Sequence, residues 1–209
     1  MKNKLYIFGA GGFGREVLSF VNGLSTWDVM GFIDDQLRVG EKIKGYPVKG
    51  GIEFLNAITE TVYVIIALGD AKLRQQVVRK ITNKHVKFPV IIHPSVIVQE
   101  TKTVTIGQGT IICAGVVLTN DISIGEHVLI NLNTTIGHDV RVGDCSALMP
   151  GVNLAGNVRI GQAVLIGSGS NVRNNVNIAD SATVGMGSVV LHDVGAGEVV
   201  AGVPAKKIR

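Results

Sequence analysis

The stretch Thr135-Ile-Gly-His-Asp139 holds the most reactive pair of side chains in the chain. Histidine changes charge between about pH 5 and 8, so a neutral His138 can take a proton from an attacking amine or hydroxyl. Asp139 beside it can raise the basicity of the imidazole and fix its tautomer. Successive residues on a flat strand point to opposite faces, so the two side chains meet only where the backbone bends. A lone histidine can also be a surface or capping group, but its place in the middle coils beside an acid favours the catalytic reading. By contrast, His85 precedes a strand, His93 sits at the domain junction, His127 is two residues after Gly125 and His192 lies near the end of the coils, and these four read as structural or surface groups. A catalytic zinc needs three ligands gathered at one site; His127 and His138 have no third at close spacing, so no metal is expected.

A second constellation lies near the start. Gly9, Gly11 and Gly14, with Gly12 and Phe13 between them, make a GxGxxG turn. An apolar strand, Lys4–Phe8, precedes the turn, and helical spacing from Arg15 to Leu24 follows it. The acidic pair Asp34-Asp35 comes about 20 residues later, at the end of a second apolar run, Val29–Ile33, which is the context this fingerprint requires. Such glycines let backbone amides approach a diphosphate, and a helix N-terminus adds its partial positive charge. The two acids are placed to accept hydrogen bonds from a ribose or a base. A tight turn without a ligand, an NAD site for hydride transfer, and a nucleotide that is part of a substrate all fit this pattern. The short domain and the lack of a dehydrogenase substrate domain count against hydride transfer, and the substrate nucleotide is the preferred reading.

Two frameworks must carry these groups. Further strands are expected at Val62–Leu68, closing at Gly69, and around Val86–Ile92, with helices over Ile52–Ala57 and Ala71–Thr82. Strands alternating with helices imply a small parallel α/β sheet, a Rossmann-like domain over residues 1–92. His93-Pro94-Ser95 marks its end. Beyond it, fifteen aliphatic residues stand six apart without a break from Ile106 to Val190. Four residues after many of them comes a second aliphatic, as at Val116, Ile122, Val128, Val140, Val152, Val158, Val164 and Val176. Glycine follows the aliphatic at Gly107, Gly125, Gly143 and Gly161, a spacing of 18. A chain that turns a corner every six residues, three edges to a turn, is a triangular parallel β-helix, expected over 93–209.

The composition agrees. Hydrophobic residues are 46% but aromatics only 5%, which suits a narrow prism filled by branched aliphatics. The 27 glycines are expected at corners, where the backbone adopts conformations that a side chain resists. Cys113 and Cys145 have neither CxxC spacing nor companions and read as buried thiols. No run of about 20 apolar residues is available to span a bilayer, and a cytoplasmic protein is expected. The net charge of +4 divides into +5 over residues 1–93 and −1 over 94–209. That mild basic excess suits a phosphate-bearing small ligand and does not argue for nucleic acid.

The repeat, the His138-Asp139 pair and the ending Gly202-Val-Pro-Ala-Lys206 together resemble the left-handed β-helix acyltransferases. With the glycine turn and Asp34-Asp35 in front, residues 4–209 resemble the bacterial sugar O- and N-acetyltransferases of the sialic acid O-acetyltransferase type. Enzymes that acetylate 4-amino sugars on nucleotide carriers belong to that group. The resemblance implies a left-handed coil, acetyl-CoA as donor, and a homotrimer with a site in each cleft between neighbouring prisms. It implies His138 as general base with Asp139 in support. Gly9, Gly11, Gly12, Phe13, Gly14, Asp34, Asp35 and Gly69 would hold the sugar nucleotide, and Gly156, Ser168 and Met186 the acetyl-CoA. Some relatives have histidine where this chain has Phe13, and a second, donor-contacting histidine where it has Ala147.

The implied reaction is acetylation of the amino group of a nucleotide-linked sugar, a 4-amino-4,6-dideoxy sugar. The alternative is O-acetylation of a sialic acid or related sugar. Both acceptors need the same base, so these residues do not separate them, although the nucleotide turn favours the first. A trimerisation scaffold for a nucleotide-sensing domain is a third reading, and the His-Asp pair counts against it.

Overall fold

The computed structural model describes residues 2–208. It divides into two compact units: one runs to Gly69 and resumes over Leu73–Ile91, and Asp70–Lys72 group with the chain from Ile92 onward.

The first unit begins with β1 (Asn3–Phe8), whose residues Leu5 to Phe8 are all buried. A continuous apolar run of this kind belongs to a parallel strand covered on both faces. The rest follows as α1 (Gly12–Val21), β2 (Trp27–Ile33), β3 (Lys42–Ile43), β4 (Tyr46–Gly50), α2 (Ile52–Ala57), β5 (Val62–Ile66), α3 (Ala71–Lys80) and β6 (Val86–Lys87). The sheet order is β3-β4-β2-β1-β5-β6, parallel throughout except for the β3–β4 hairpin. Apolar faces of α2, α3 and the sheet close the core around Ile33, Leu55, Val64 and Ile66.

Three details differ from expectation. α1 starts at Gly12, three residues before Arg15, because the glycines of the turn themselves take up the first helical turn. The β3–β4 hairpin was not expected; its turn residues Lys44 and Gly45 both have positive φ, at 50° and 86°, as a two-residue hairpin loop requires. The expected strand over Val86–Ile92 is broken around Pro89: Val86–Lys87 stays with β5, whereas Ile91–Ile92 joins a ladder of the following β-helix.

The second unit is a parallel β-helix built from two-residue strands. Three sheets of eight, six and five strands form its sides. Every parallel pairing within the repeat steps by 18 residues, as in Val117↔Thr135↔Asn153↔Asn171↔Val189. The second residue of each strand points inward. From Ile112 to Val190 these residues, with Val116, Val140, Val158 and their equivalents, make one buried aliphatic column, and Ile106 packs against its end. A hairpin of Val199–Gly202 and Ala205–Lys207 ends the eight-stranded sheet. Cys113 and Cys145 are buried thiols.

The corners do not use glycine as composition suggested. Every sixth residue from Gly109 to Gly187 has positive φ, yet only Gly109, Gly115, Gly151, Gly169 and Gly187 among them are glycine. Asp121, His127, Asn133, Asp139, Cys145, Asn157, Ala163, Asn175 and Ser181 take the same conformation. Asp and Asn tolerate it best among residues with a side chain. The glycines that follow the inward aliphatic answer a different need: a Cβ on Gly107 or Gly143 would strike the backbone of the next coil.

Among the described residues, no helix is long and apolar enough to cross a membrane.

Candidate active site

His138 and Asp139 stand on one corner of the β-helix, directly after the strand Thr135–Ile136. Asp139 is one of the left-handed residues, at φ 61°. That bend turns its carboxylate back along the chain, and Oδ2 meets His138 Nδ1 at 2.8 Å. Both side chains are well exposed, at 63% and 58%. One coil further on lies Gly156, and a Cβ built there would collide with Cε1 and Nε2 of the imidazole. Glycine at this position therefore lets the Cε1–Nε2 edge of His138 lie against the next rung. The coils are tied here by Asp139 N–H to Asn120 O (3.2 Å) and Asn157 N–H to His138 O (2.8 Å). The Gly156 N–H has no acceptor within the chain among the described residues.

In the first unit, a cavity of about 450 Å³ opens at the carboxyl ends of β1, β2 and β5. Parallel α/β sheets bind ligands at this edge, where neighbouring connections leave in opposite directions. Of the eight residues proposed from sequence, Gly9, Gly11, Gly12, Phe13, Asp34, Asp35 and Gly69 line it. Gly14 does not: a Cβ there would strike the carbonyl of Gly9, so it serves the closure of the turn. Gly9 is likewise structural, with φ 96°. At Gly11, Gly12 and Gly69 an added Cβ would meet nothing within 4 Å, and none has positive φ. Folding does not demand glycine at those three places; what their small size preserves is open room in the cavity. The N-terminus of α1 carries no capping side chain and no acid in its first turn, and Arg15 is the first residue whose N–H is taken by a backbone carbonyl at the helix start, that of Gly11. Free amides are thus available to a phosphate.

Asp34 and Asp35 have local duties as well. Asp34 accepts from the N–H groups of Ala10 (3.1 Å) and Gln36 (3.0 Å), which holds the glycine turn against the end of β2. Asp35 Oδ1 accepts the N–H of Ile52 at 2.8 Å, at the start of α2. Asp35 Oδ2 is left without a partner in the chain among the described residues. Gln36, Leu68 and Leu73 also line the cavity, and an adjoining hollow of about 300 Å³ adds Leu37, Val39 and Glu53. No motif in the sequence marks these residues, which reach the site only through the folding of separate loops.

The model of the PglD N-terminal domain family matches residues 4–81. The UDP-N-acetylbacillosamine N-acetyltransferase of Bacillus subtilis is 32% identical over 117 residues, 54% of this chain and 52% of that protein. The chain thus spans about half the length of the curated relatives it matches. The acetyltransferase domain of PglB from Neisseria gonorrhoeae superposes with a TM-score of 0.89 at 30% identity, covering 99% of this chain and 100% of that one. This chain belongs to the hexapeptide-repeat sugar acetyltransferase family. That Neisseria domain has also been solved with acetyl coenzyme A. A histidine-to-asparagine variant of perosamine N-acetyltransferase from Caulobacter crescentus, in complex with CoA and GDP-perosamine, matches with a TM-score of 0.88 at 30% identity over 98% of this chain and 96% of that one.

Within this acetyltransferase fold, the three residues expected to hold the donor do not share a corner. Gly156 is on the corner of His138. Ser168 and Met186 share a different one, tied by Gly187 N–H to Ser168 O at 2.8 Å, and the six-stranded sheet face separates the two corners. Met186 is 76% exposed. Ala147, where some relatives have histidine, is fully buried on the eight-stranded face between Leu129 and Leu165. Phe13 is half-buried at the cavity rim. Among the described residues, no group of three or more His, Cys, Asp or Glu side chains is arranged to hold a metal ion.

Proposed function

We propose that this protein transfers the acetyl group of acetyl-CoA to the amino group of a nucleotide-linked amino sugar, with His138 as general base. The observation that carries this reading is the corner geometry: Asp139 holds Nδ1, and the Nε2 edge lies against a glycine rung. With Nδ1–H donated to the carboxylate, Nε2 carries the lone pair of the neutral ring. An amine placed at Nε2 forms its bond to the thioester carbon and passes one proton to the imidazole. Negative charge then builds on the thioester oxygen, and the unclaimed N–H of Gly156 is available to receive it. Collapse expels the coenzyme A thiolate, which takes the proton from His138, while Asp139 balances the transient imidazolium. The activities for which the relatives are named support an amine on a nucleotide-linked sugar as the acceptor.

Residues 1–92 serve the acceptor in this scheme and 93–209 the transfer. The room at Gly11, Gly12 and Gly69, with the open amides of α1, suits a diphosphate, and Asp35 Oδ2 suits a hydroxyl or base N–H. Phe13 replaces a polar contact by an apolar one beside the sugar. Ser168 and Met186 stand on another corner from Gly156, and a cleft between two prisms would bring both kinds of corner to one acetyl-CoA. A homotrimer supplies three such clefts. Both substrates are cytoplasmic metabolites, and the proposed location is the cytoplasm.

The test is release of free thiol from acetyl-CoA in the presence of UDP-, GDP- and dTDP-linked 4-amino sugars. Release in step with formation of the sugar amide is expected with one of them. Thiol release no faster than hydrolysis with every nucleotide would defeat the proposal.

A further inference from the structure

The corner that carries His138 recurs in each coil, and the coil before it presents another polar side chain at the equivalent place. Asn120 precedes His138 by one 18-residue step, and its carbonyl accepts the N–H of Asp139. Asp121 repeats the left-handed conformation of Asp139, with φ 56° against 61°. In consequence Asn120 Nδ2 donates to Asp121 Oδ2 at 2.6 Å, just as His138 Nδ1 is held by Asp139. A carboxylate only accepts, so the amide orientation is settled: NH2 faces Asp121, and the oxygen Oδ1 is turned to the other side. Asn120 is exposed, and Oδ1 has no partner in the chain among the described residues. Adjacent rungs are about 4.8 Å apart. One corner therefore offers in succession an acceptor oxygen, a base and, at Gly156, an unclaimed N–H.

We propose that Asn120 Oδ1 binds the second hydrogen of the attacking amine and makes the site select an amine over a hydroxyl. The inference rests on His138 being the base of the reaction proposed above. A neutral primary amine has one lone pair and two hydrogens. The lone pair goes to the thioester carbon, one hydrogen to His138 Nε2, and the other needs an acceptor, which Asn120 supplies from the neighbouring rung. That hydrogen is not transferred: it stays on nitrogen in the amide product, while the first leaves through His138 to the thiolate. A hydroxyl brings a single hydrogen. Once this is given to His138, Asn120 Oδ1 confronts an oxygen lone pair and is left unsatisfied, which is the arrangement that discriminates most strongly between two otherwise similar groups.

The experiment compares the nucleotide-linked 4-amino sugar with its 4-hydroxy counterpart in wild type, Asn120→Leu and Asn120→Asp. Asn120→Leu should lower kcat/KM for the amine by about tenfold to a hundredfold, leave the KM of acetyl-CoA unchanged, and spare or raise the slow reaction of the hydroxyl. Asn120→Asp, which keeps an acceptor oxygen, should recover part of the amine rate. Equal losses for both acceptors, or an amine kcat/KM within about twofold of wild type, would overturn the role of Asn120 alone. A wild type that acetylates the hydroxyl sugar and ignores the amine would overturn the parent reading as well.

Discussion

The contact between His138 and Asp139 is made by backbone conformation. Asp139 occupies one of the left-handed positions that return every sixth residue, and an aspartate is at home there for structural reasons alone. What sets this corner apart is the imidazole before it and the glycine of the next coil beneath its ring. Replacing His138 by Asn keeps a polar group of similar reach that cannot take a proton at neutral pH. Turnover of His138→Asn should fall by roughly 10²–10⁴ while both substrates still bind, as calorimetric titration can verify. Asp139→Asn preserves the tolerance for positive φ, so its smaller loss of turnover reports the lost support of the imidazole and not a damaged corner. Near-normal turnover in His138→Asn would move the base elsewhere.

Among the elements, the glycine turn that opens α1 divides its labour residue by residue. Gly14 is needed by the fold, since any Cβ meets the Gly9 carbonyl, whereas Gly12 at the first position of the helix faces open cavity. Gly12→Leu should therefore leave the melting temperature near that of wild type and raise the KM of the acceptor at least about tenfold, with the KM of acetyl-CoA unchanged. Gly14→Ala should do the reverse, costing about 1–3 kcal/mol of stability through overpacking. Steady-state kinetics with each substrate varied, together with thermal unfolding, separates the two. Equal changes in both Michaelis constants for Gly12→Leu would mean that the ligands have been assigned to the wrong units.

At the scale of the molecule, the six-stranded face lies between the corner of His138 and that of Ser168 and Met186. Its outward row includes a ladder in which Thr135 Oγ1 donates to Asn153 Oδ1 at 2.7 Å and Asn153 Nδ2 to Asn171 Oδ1 at 3.1 Å. Flat, regular faces of a prism pack well against copies of themselves, and closed symmetry is the usual outcome. The assembly should be a trimer whose mass in sedimentation equilibrium does not depend on either substrate. A stable monomer at micromolar concentration would remove the shared cleft, and with it the assignment of Ser168 and Met186 to the same donor as Gly156.

The period of six was legible because a triangular coil repeats one inward position on every edge, so that Ile112, Leu118, Ile124 and their successors write the geometry directly into residue types. The α/β character of the first unit was legible for a similar reason: buried parallel strands such as Leu5–Phe8 must be apolar on both faces. Residue chemistry likewise singled out His138, Asp139 and the glycine turn. Other features required the folded chain. Left-handed corners are invisible where Asp, Cys, His or Ala adopt them, because side-chain identity only weakly reports φ. The β3–β4 hairpin is too short and too polar to leave a periodic trace. Which glycines guard a cavity and which merely close a turn depends on atoms brought from distant segments, as Ala67 and Leu68 are brought to Gly9. The period of 18 already puts Asn120, His138 and Gly156 on one corner and Ser168 and Met186 on another. The turn of the Asp139 carboxylate onto His138 Nδ1 and the approach of the imidazole to Gly156 do not follow from it. They depend on backbone conformation at the corner and on hydrogen bonds between rungs, which bring residues of successive coils together only once the chain has wound upon itself.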